Sequence, residues 1–212
     1  MPNDRRPLTS RNAAWVQALA RWLAAHRVTP NAISIAGMVF ATIGGVAFVW
    51  ASRCAPCSRS LLLVAAANIQ LRLLCNLLDG LVAVEGGLKG RAGDLFNEAP
   101  DRYADIALLA SAGFAAGVPW LGWMAASFAV LTAYVRAFGA SLGRGQDFCG
   151  PFAKPQRMFF LTVGAVAAAL VGWFPKIVPA HLSVLEWTLW LIAVGAFVTA
   201  VRRVVRLYRQ LP

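Results

Sequence analysis

The sequence predicts an all-α, polytopic membrane protein, and three observations lead there. The 212 residues are 59% hydrophobic and 14% charged, with a mean hydropathy of +0.62, too apolar for an ordinary soluble domain. Apolar stretches long enough to cross a bilayer, roughly 20 residues each, recur along the whole length. Basic residues gather in alternate connections between those stretches. We expect six transmembrane helices plus an N-terminal interfacial amphipathic helix, all in one domain over 1–212. In it, 1–30 form the helix and turn and 31–205 the six-helix bundle.

Positions 13–27 place Trp15, Leu19, Trp22 and Leu23 at helical spacing, with Arg21 and Arg27 elsewhere. That is the pattern of a helix lying in the headgroup region. The first 30 residues lack the apolar core and small-residue cleavage site of a signal peptide. Thr29-Pro30-Asn31 then offers a turn and a cap. The expected spans are 33–50, 61–84, 95–116, 120–142, 158–174 and 182–201, with Pro119, Pro151, Pro155, Pro175 and Pro179 punctuating the connections. Residues 85–92 form a short polar loop with three glycines, which predicts that the second and third spans are antiparallel neighbours. Cys54 and Cys57 form a CxxC in the first loop. It reads as a local disulfide or as two free thiols, and no second pair exists to complete a zinc site.

The net charge of +11 follows the topology. Arg5, Arg6, Arg11, Arg21 and Arg27 precede the first span, and Arg202, Arg203, Arg206 and Arg209 follow the last. Lys89 and Arg91 sit in the second loop, and Arg144, Lys154 and Arg157 in the fourth. Six spans put these groups on one side, which the positive-inside rule makes cytoplasmic; Arg53, Arg59 and Lys176 fall on the other. A membrane surface therefore accounts for the charge, and nucleic acid is not expected as a partner. The bias to arginine over lysine, with many alanines, fits a bacterial inner membrane.

Six of the nine acidic residues lie between Asp79 and Asp105: Asp79, Glu85, Asp94, Glu98, Asp101 and Asp105. Carboxylates at membrane depth are expensive and mark function. At about 100° per residue, Arg72, Asn76, Asp79 and Ala83 share a stripe of the second span. Asp94, Glu98, Asp101 and Asp105 fall within an arc of about 60° on the third, with Asn97 at its border. Oxygen donors without His or Cys suit a hard divalent cation rather than zinc or copper. Three readings fit the spacing: a phosphate-plus-metal site, a proton or cation pathway, and structural hydrogen bonding between helices.

The same segment resembles a known family. Asn76-Leu-Leu-Asp79-Gly80-Leu-Val-Ala83 and Gly93-Asp-Leu-Phe-Asn97-Glu98-Ala-Pro-Asp101 are similar to the signature of the CDP-alcohol phosphotransferases, D-x2-D-G-x2-A-R followed by G-x3-D-x3-D. The glycines, the alanine and two of the four aspartates match in register. Asn76, Asn97 and Val84 depart from the pattern, standing at two aspartates and the arginine. Each Asp→Asn change removes a charge that a divalent ion uses. The six spans, the N-terminal helix and the Thr29-Pro30-Asn31 opening also look like that family.

The resemblance implies an enzyme of phospholipid synthesis that moves a substituted phosphate from a CDP-linked lipid such as CDP-diacylglycerol to an alcohol, releasing CMP. It implies Mg2+ or Mn2+ held by Asn76, Asp79, Asn97 and Asp101, with Glu98 or Asp94 restoring lost charge, and Asp101 as general base. Gly80, Ala83 and Gly93 would line the cytidine pocket, and Arg72 would stand in for the missing arginine near the diphosphate. Arg136, Lys154 and Arg157 are candidates to bind an acceptor phosphate. A homodimer is implied by the resemblance alone. Asp105, outside the motif, is expected either to support the motif residues from behind or, as the favoured reading, to pair with Arg102 along its own helix, and His26 and His181 to be ordinary surface residues. Two other functions compete: a nucleotide-lipid binder without turnover, which the two asparagines suggest, and a small cation or proton transporter. The transporter lacks the paired halves usual for that class.

Overall fold

In a computed structural model, seven α-helices account for nearly all of the described residues, 13–85, 93–171 and 181–210, with 93–94, 96–97 and 181–183 described as backbone only. Helix α1 (Ala14–Ala25) buries Val16 and Ala20 against Cys75, Leu78 and Val82 of α3, with Leu19 and Leu23 partly covered. Its Trp15 and Trp22 stay exposed, as an interfacial helix requires. Arg27 ends this helix with φ at 58°, reversing the chain. Thr29 then caps α2 (Pro30–Ala51) as expected: its Oγ1 accepts from Ala32 N at 3.2 Å, and Pro30 occupies the first helical position.

A single 3-10 turn, Ala55–Cys57, leads into α3 (Ser58–Glu85). Cys54 and Cys57 are free thiols. Helices α4 (Gly93–Ala115), α5 (Pro119–Ser141), α6 (Lys154–Val171) and α7 (His181–Gln210) complete the chain. The predicted spans match these helices, α7 running nine residues further; the end of the fifth, 172–174, and most of the 85–92 loop lie outside the described residues.

The six long helices close into a ring in the order α2, α3, α6, α7, α5, α4 and back to α2. Phe48, Ile69, Leu108, Leu121, Met158, Leu161, Leu189 and Ile192 fill its centre. Small residues let the helices approach closely, the usual device where lipid removes the hydrophobic drive for association. At the α4–α5 crossing a Cβ on Gly122 would stand 2.7 Å from the Leu109 carbonyl and 2.8 Å from Gly113 Cα. Gly122→Leu is therefore expected to cost about 1–3 kcal/mol or more from overpacking. A lowered melting temperature in detergent checks this; an unchanged one contradicts it.

The expectation that α3 and α4 pack side by side is corrected. Helix α2 packs against both, and α3 and α4 share no extended contact. The cause lies in the glycines of α2. A Cβ on Gly44 would meet Leu108 of α4 at 3.1 Å and Asn68 of α3 at 3.3 Å, so α2 wedges between them. Their polar stripes are bridged by Arg72 of α3, which reaches Asp101 and Asp105 of α4.

Among the described residues, four segments are long and apolar enough to cross a membrane: Pro30–Ala51, Ala55–Glu85, Pro119–Ser141 and Val184–Gln210. Helices α4 and α6 fall short among the described residues because Glu98, Asp101, Arg102 and Asp105, and Lys154 and Arg157, interrupt them. The outer surface of the ring is apolar, with Ile35, Val39, Ile43, Leu131, Val194 and Phe197 exposed, which marks a face for lipid.

Candidate active site

The stripe on α3 forms as its spacing requires. Arg72 is 2% exposed and Asp79 7%, both turned into the ring. Ser34, one turn into α2, donates its hydroxyl to Asp79 Oδ2 at 2.8 Å. A cavity of about 10 Å³ lies between α2, α3 and α4, lined by Ser34, Gly37, Arg72, Cys75, Asn76, Asp79, Pro100 and Asp101. Asp79 and Asp101, 22 residues apart on separate helices, thus open onto one space. A larger groove of about 490 Å³ between α2 and α4, lined by Thr42, Trp50 and Tyr103 among others, has no carboxylate.

Asp101 is gripped from three sides. Arg72 Nη2 donates to its Oδ1 at 3.1 Å from α3, Lys154 pairs with its Oδ2 from α6, and Arg102 lies 3.8 Å away. Behind it Asp105 is fully buried, its Oδ2 accepting from Arg157 Nη2 at 2.7 Å and its Oδ1 lying 3.6 Å from Arg72. The expected pairing of Asp105 with Arg102 is corrected: Asp105 points into the ring, where Arg157 and Arg72 wait, while Arg102 pairs with Glu98 at 3.5 Å and with Asp101. Arg157 also donates to Thr132 Oγ1 at 3.2 Å and to the Phe152 carbonyl at 2.9 Å, and is 2% exposed.

Glu98 faces the neighbouring helix. Arg136 of α5 pairs with it, donates to Gln146 Oε1 at 2.6 Å, and lies over the Phe148 ring at 5.4 Å. The loop carrying Gln146 and Phe148 is tied down in turn. Arg203 donates to the Cys149 carbonyl at 2.9 Å and to the Thr132 carbonyl at 2.7 Å, and Phe152 N donates to Thr199 Oγ1 at 3.0 Å. Burial pushes the Cys149 thiol above its ordinary range, and it donates to Asp147 Oδ2 at 3.1 Å.

Sequence reasoning did not find Ser34, Thr132, Thr199 or a buried role for Arg203, which it grouped with the interfacial charge. The signal available was a polar residue inside an apolar span. Gly80 and Ala83 are half-buried at the end of α3. Gly93 opens α4, and the side chains of Asp94 and Asn97 lie outside the described residues, as does that of His181. His26 is exposed, its ring nitrogen 2.8 Å from the Trp22 carbonyl.

Among the described residues, five cations (Arg72, Arg102, Arg136, Lys154 and Arg157) meet four carboxylates (Asp79, Glu98, Asp101 and Asp105) in this cluster. The excess positive charge suits an anionic ligand. Arg72 Nη1 is buried with no hydrogen-bond partner, which leaves a donor for it. Among the described residues, no three His, Cys, Asp or Glu side chains converge on one point. Mg2+ is usually held by one or two carboxylates plus substrate phosphates, so Asp79 and Asp101 beside an anion site fit such an ion in kind and number.

The ring of helices and the two facing stripes define a polytopic helical membrane protein with a cluster of acidic and basic side chains at one end of the bundle. Its fold is that of solved phosphatidylinositol phosphate synthases. PgsA1 of Mycobacterium tuberculosis with CDP-DAG bound superposes with a TM-score of 0.74 at 23% identity, over 92% of this chain and 94% of that one. The same enzyme with manganese and citrate gives 0.73 at 23%, over 91% and 88%. In sequence, phosphatidylinositol phosphate synthase of Streptomyces avermitilis is 30% identical over 151 residues, which span 67% of this chain and 60% of that enzyme. Inner membrane protein YnbA of Escherichia coli is 26% identical over 158 residues, 70% of this chain and 72% of that protein. No protein-family model matches the chain. The motif glycines, the alanine and two aspartates stand in register with the CDP-alcohol phosphotransferase signature, and the chain shares the fold of these solved synthases.

Proposed function

We propose that this protein transfers a phosphatidyl group from a CDP-linked lipid, of the CDP-diacylglycerol type, to a phosphate-bearing alcohol and releases CMP. The observation that carries the reading is the single cavity shared by Asp79 and Asp101, flanked by more cations than carboxylates. The homology supports the donor class. The excess of positive charge supports an acceptor that brings its own negative charge.

Asn76, Asp79, Asn97 and Asp101 would hold the divalent ion, Mg2+ or Mn2+, which when bound neutralises charge developing on the diphosphate oxygens. Arg72 offers its unpartnered nitrogen to the same oxygens. Asp101 accepts the proton of the acceptor hydroxyl. The acceptor oxygen bonds to the phosphorus that carries the diacylglycerol, the bond from that phosphorus to the bridging oxygen breaks, and CMP leaves with the electron pair. Gly80, Ala83 and Gly93 leave room for the cytidine. Lys154 and Arg136 hold the acceptor phosphate. Arg157, closed in by three partners, stands behind them, and Glu98 orients Arg136.

We take α4 and α6 to cross the bilayer with the other four long helices, since their charges turn into the ring. Arg144, Arg202, Arg206 and Arg209 lie at the same end of the bundle as the cavity, with Arg53 and Arg59 at the other. The positive-inside rule then faces the site to the cytoplasm of a bacterial inner membrane.

The test uses purified protein, Mg2+ or Mn2+, CDP-diacylglycerol, and matched alcohols with and without a phosphate. CMP is expected with phosphorylated acceptors alone. Donor binding with no CMP from any acceptor would instead favour a binder without turnover, the outcome to which Asn76 and Asn97 point. Lys154→Met should raise the acceptor KM about tenfold or more, the worth of one charge-assisted hydrogen bond, and change the donor KM far less. Equal effects on both would remove Lys154 from the acceptor site.

A further inference from the structure

Asp105 lies outside the motif and does not line the cavity, yet it is fully buried where arginines from two other helices meet. One of its oxygens is spoken for by Arg157 at 2.7 Å. The other makes no hydrogen bond and lies 3.6 Å from Arg72 Nη2, the nitrogen that donates to Asp101 at 3.1 Å. A carboxylate this deep is costly to retain, and its neighbours show what it could be retained for. Arg72 reaches from α3 to α4 with its side chain 2% exposed, and the same Nη2 faces both Asp101 and Asp105. Asp105 is thus a second anchor on the guanidinium that holds Asp101. Arg157, Asp105, Arg72 and Asp101 thus form one buried chain of alternating charge from α6 through α4 to α3 and back to the cavity.

We propose that Asp105 is a positioning residue: its charge holds the Arg72 guanidinium so that Arg72 fixes Asp101 against the space shared with Asp79. This rests on the function proposed above, with Asp101 as the base. The alternative is that Asp105 merely neutralises Arg157, and the two roles separate in a pair of variants. Asp105→Asn alone leaves Arg157 uncompensated and should lower the melting temperature. Asp105→Asn with Arg157→Met removes both charges of the pair and should recover most of that loss, short of the hydrogen bonds Arg157 makes to Thr132 and the Phe152 carbonyl. In that restored protein kcat for CMP release is expected to stay about 100-fold down, the scale of a misplaced catalytic group, with the acceptor KM within about twofold.

Adding Arg72→Met to the double variant should then cost clearly less kcat than it does in the wild type, because the part of its effect that runs through Asp101 is already lost. A double variant with wild-type kcat, or an Arg72→Met that costs its full single-variant loss in that background, overturns the proposal. Wild-type protein that releases no CMP under any condition overturns the transferase reading itself, a different result from a wild-type protein that turns over and ignores Asp105→Asn.

Discussion

Asp101→Asn is expected to lower kcat for CMP release about 10²–10⁴-fold, the range of a lost general base, while the protein stays folded and binds the donor lipid. Asp101 is the carboxylate on which the site converges: Arg72 arrives from α3, Lys154 from α6 and Arg102 from its own helix, and the side chain opens onto the cavity with Asp79. Asparagine keeps the shape and can still accept from Arg72, but it takes no proton from an alcohol and carries no charge toward a cation. Steady-state CMP release, with donor binding measured alongside, checks this. A variant within about threefold of wild type would contradict the assignment, since general acid–base catalysis is worth far more than that.

Arg157→Ala carries the largest expected effect on stability. Its guanidinium is 2% exposed and supports three partners at once: Asp105, Thr132 and the Phe152 carbonyl. Truncation leaves a fully buried carboxylate with no hydrogen-bond donor and only the Arg72 guanidinium, 3.6 Å away, to pair with, and it strips a carbonyl of its donor. Breaking a buried pair in this way costs about 3–5 kcal/mol. A melting curve in detergent should show that loss before any substrate is added. If Arg157→Ala melts with the wild type and loses only acceptor affinity, Arg157 belongs in the acceptor site rather than behind it.

How much was legible in the sequence follows from what each signal depends on. The helices were legible because runs of apolar residues broken by Pro119 or capped by Thr29 leave few alternatives. The faces of Asp79 and Asp101 were legible because helical periodicity alone sets them. What periodicity does not give is the neighbour. The ring order depends on Gly44 and its fellows letting α2 wedge between α3 and α4, so the facing stripes meet through Arg72 rather than by direct packing. Asp105 illustrates the same limit: Arg102 stands three residues away in sequence, but the buried partner is Arg157, 52 residues on. Arg203, one of four arginines after the last span, looked interfacial until the fold put it against the Cys149 and Thr132 carbonyls.

Asp79 of α3 and Asp101 of α4 are proposed to bind one divalent ion between them. Mn2+ soaked into crystals of the protein with the donor lipid, located by its anomalous scattering, tests it most directly. A peak is expected between those two carboxylates, and it should disappear in Asp79→Ala. A manganese peak elsewhere in the bundle, or one that survives Asp79→Ala at full height, would contradict it.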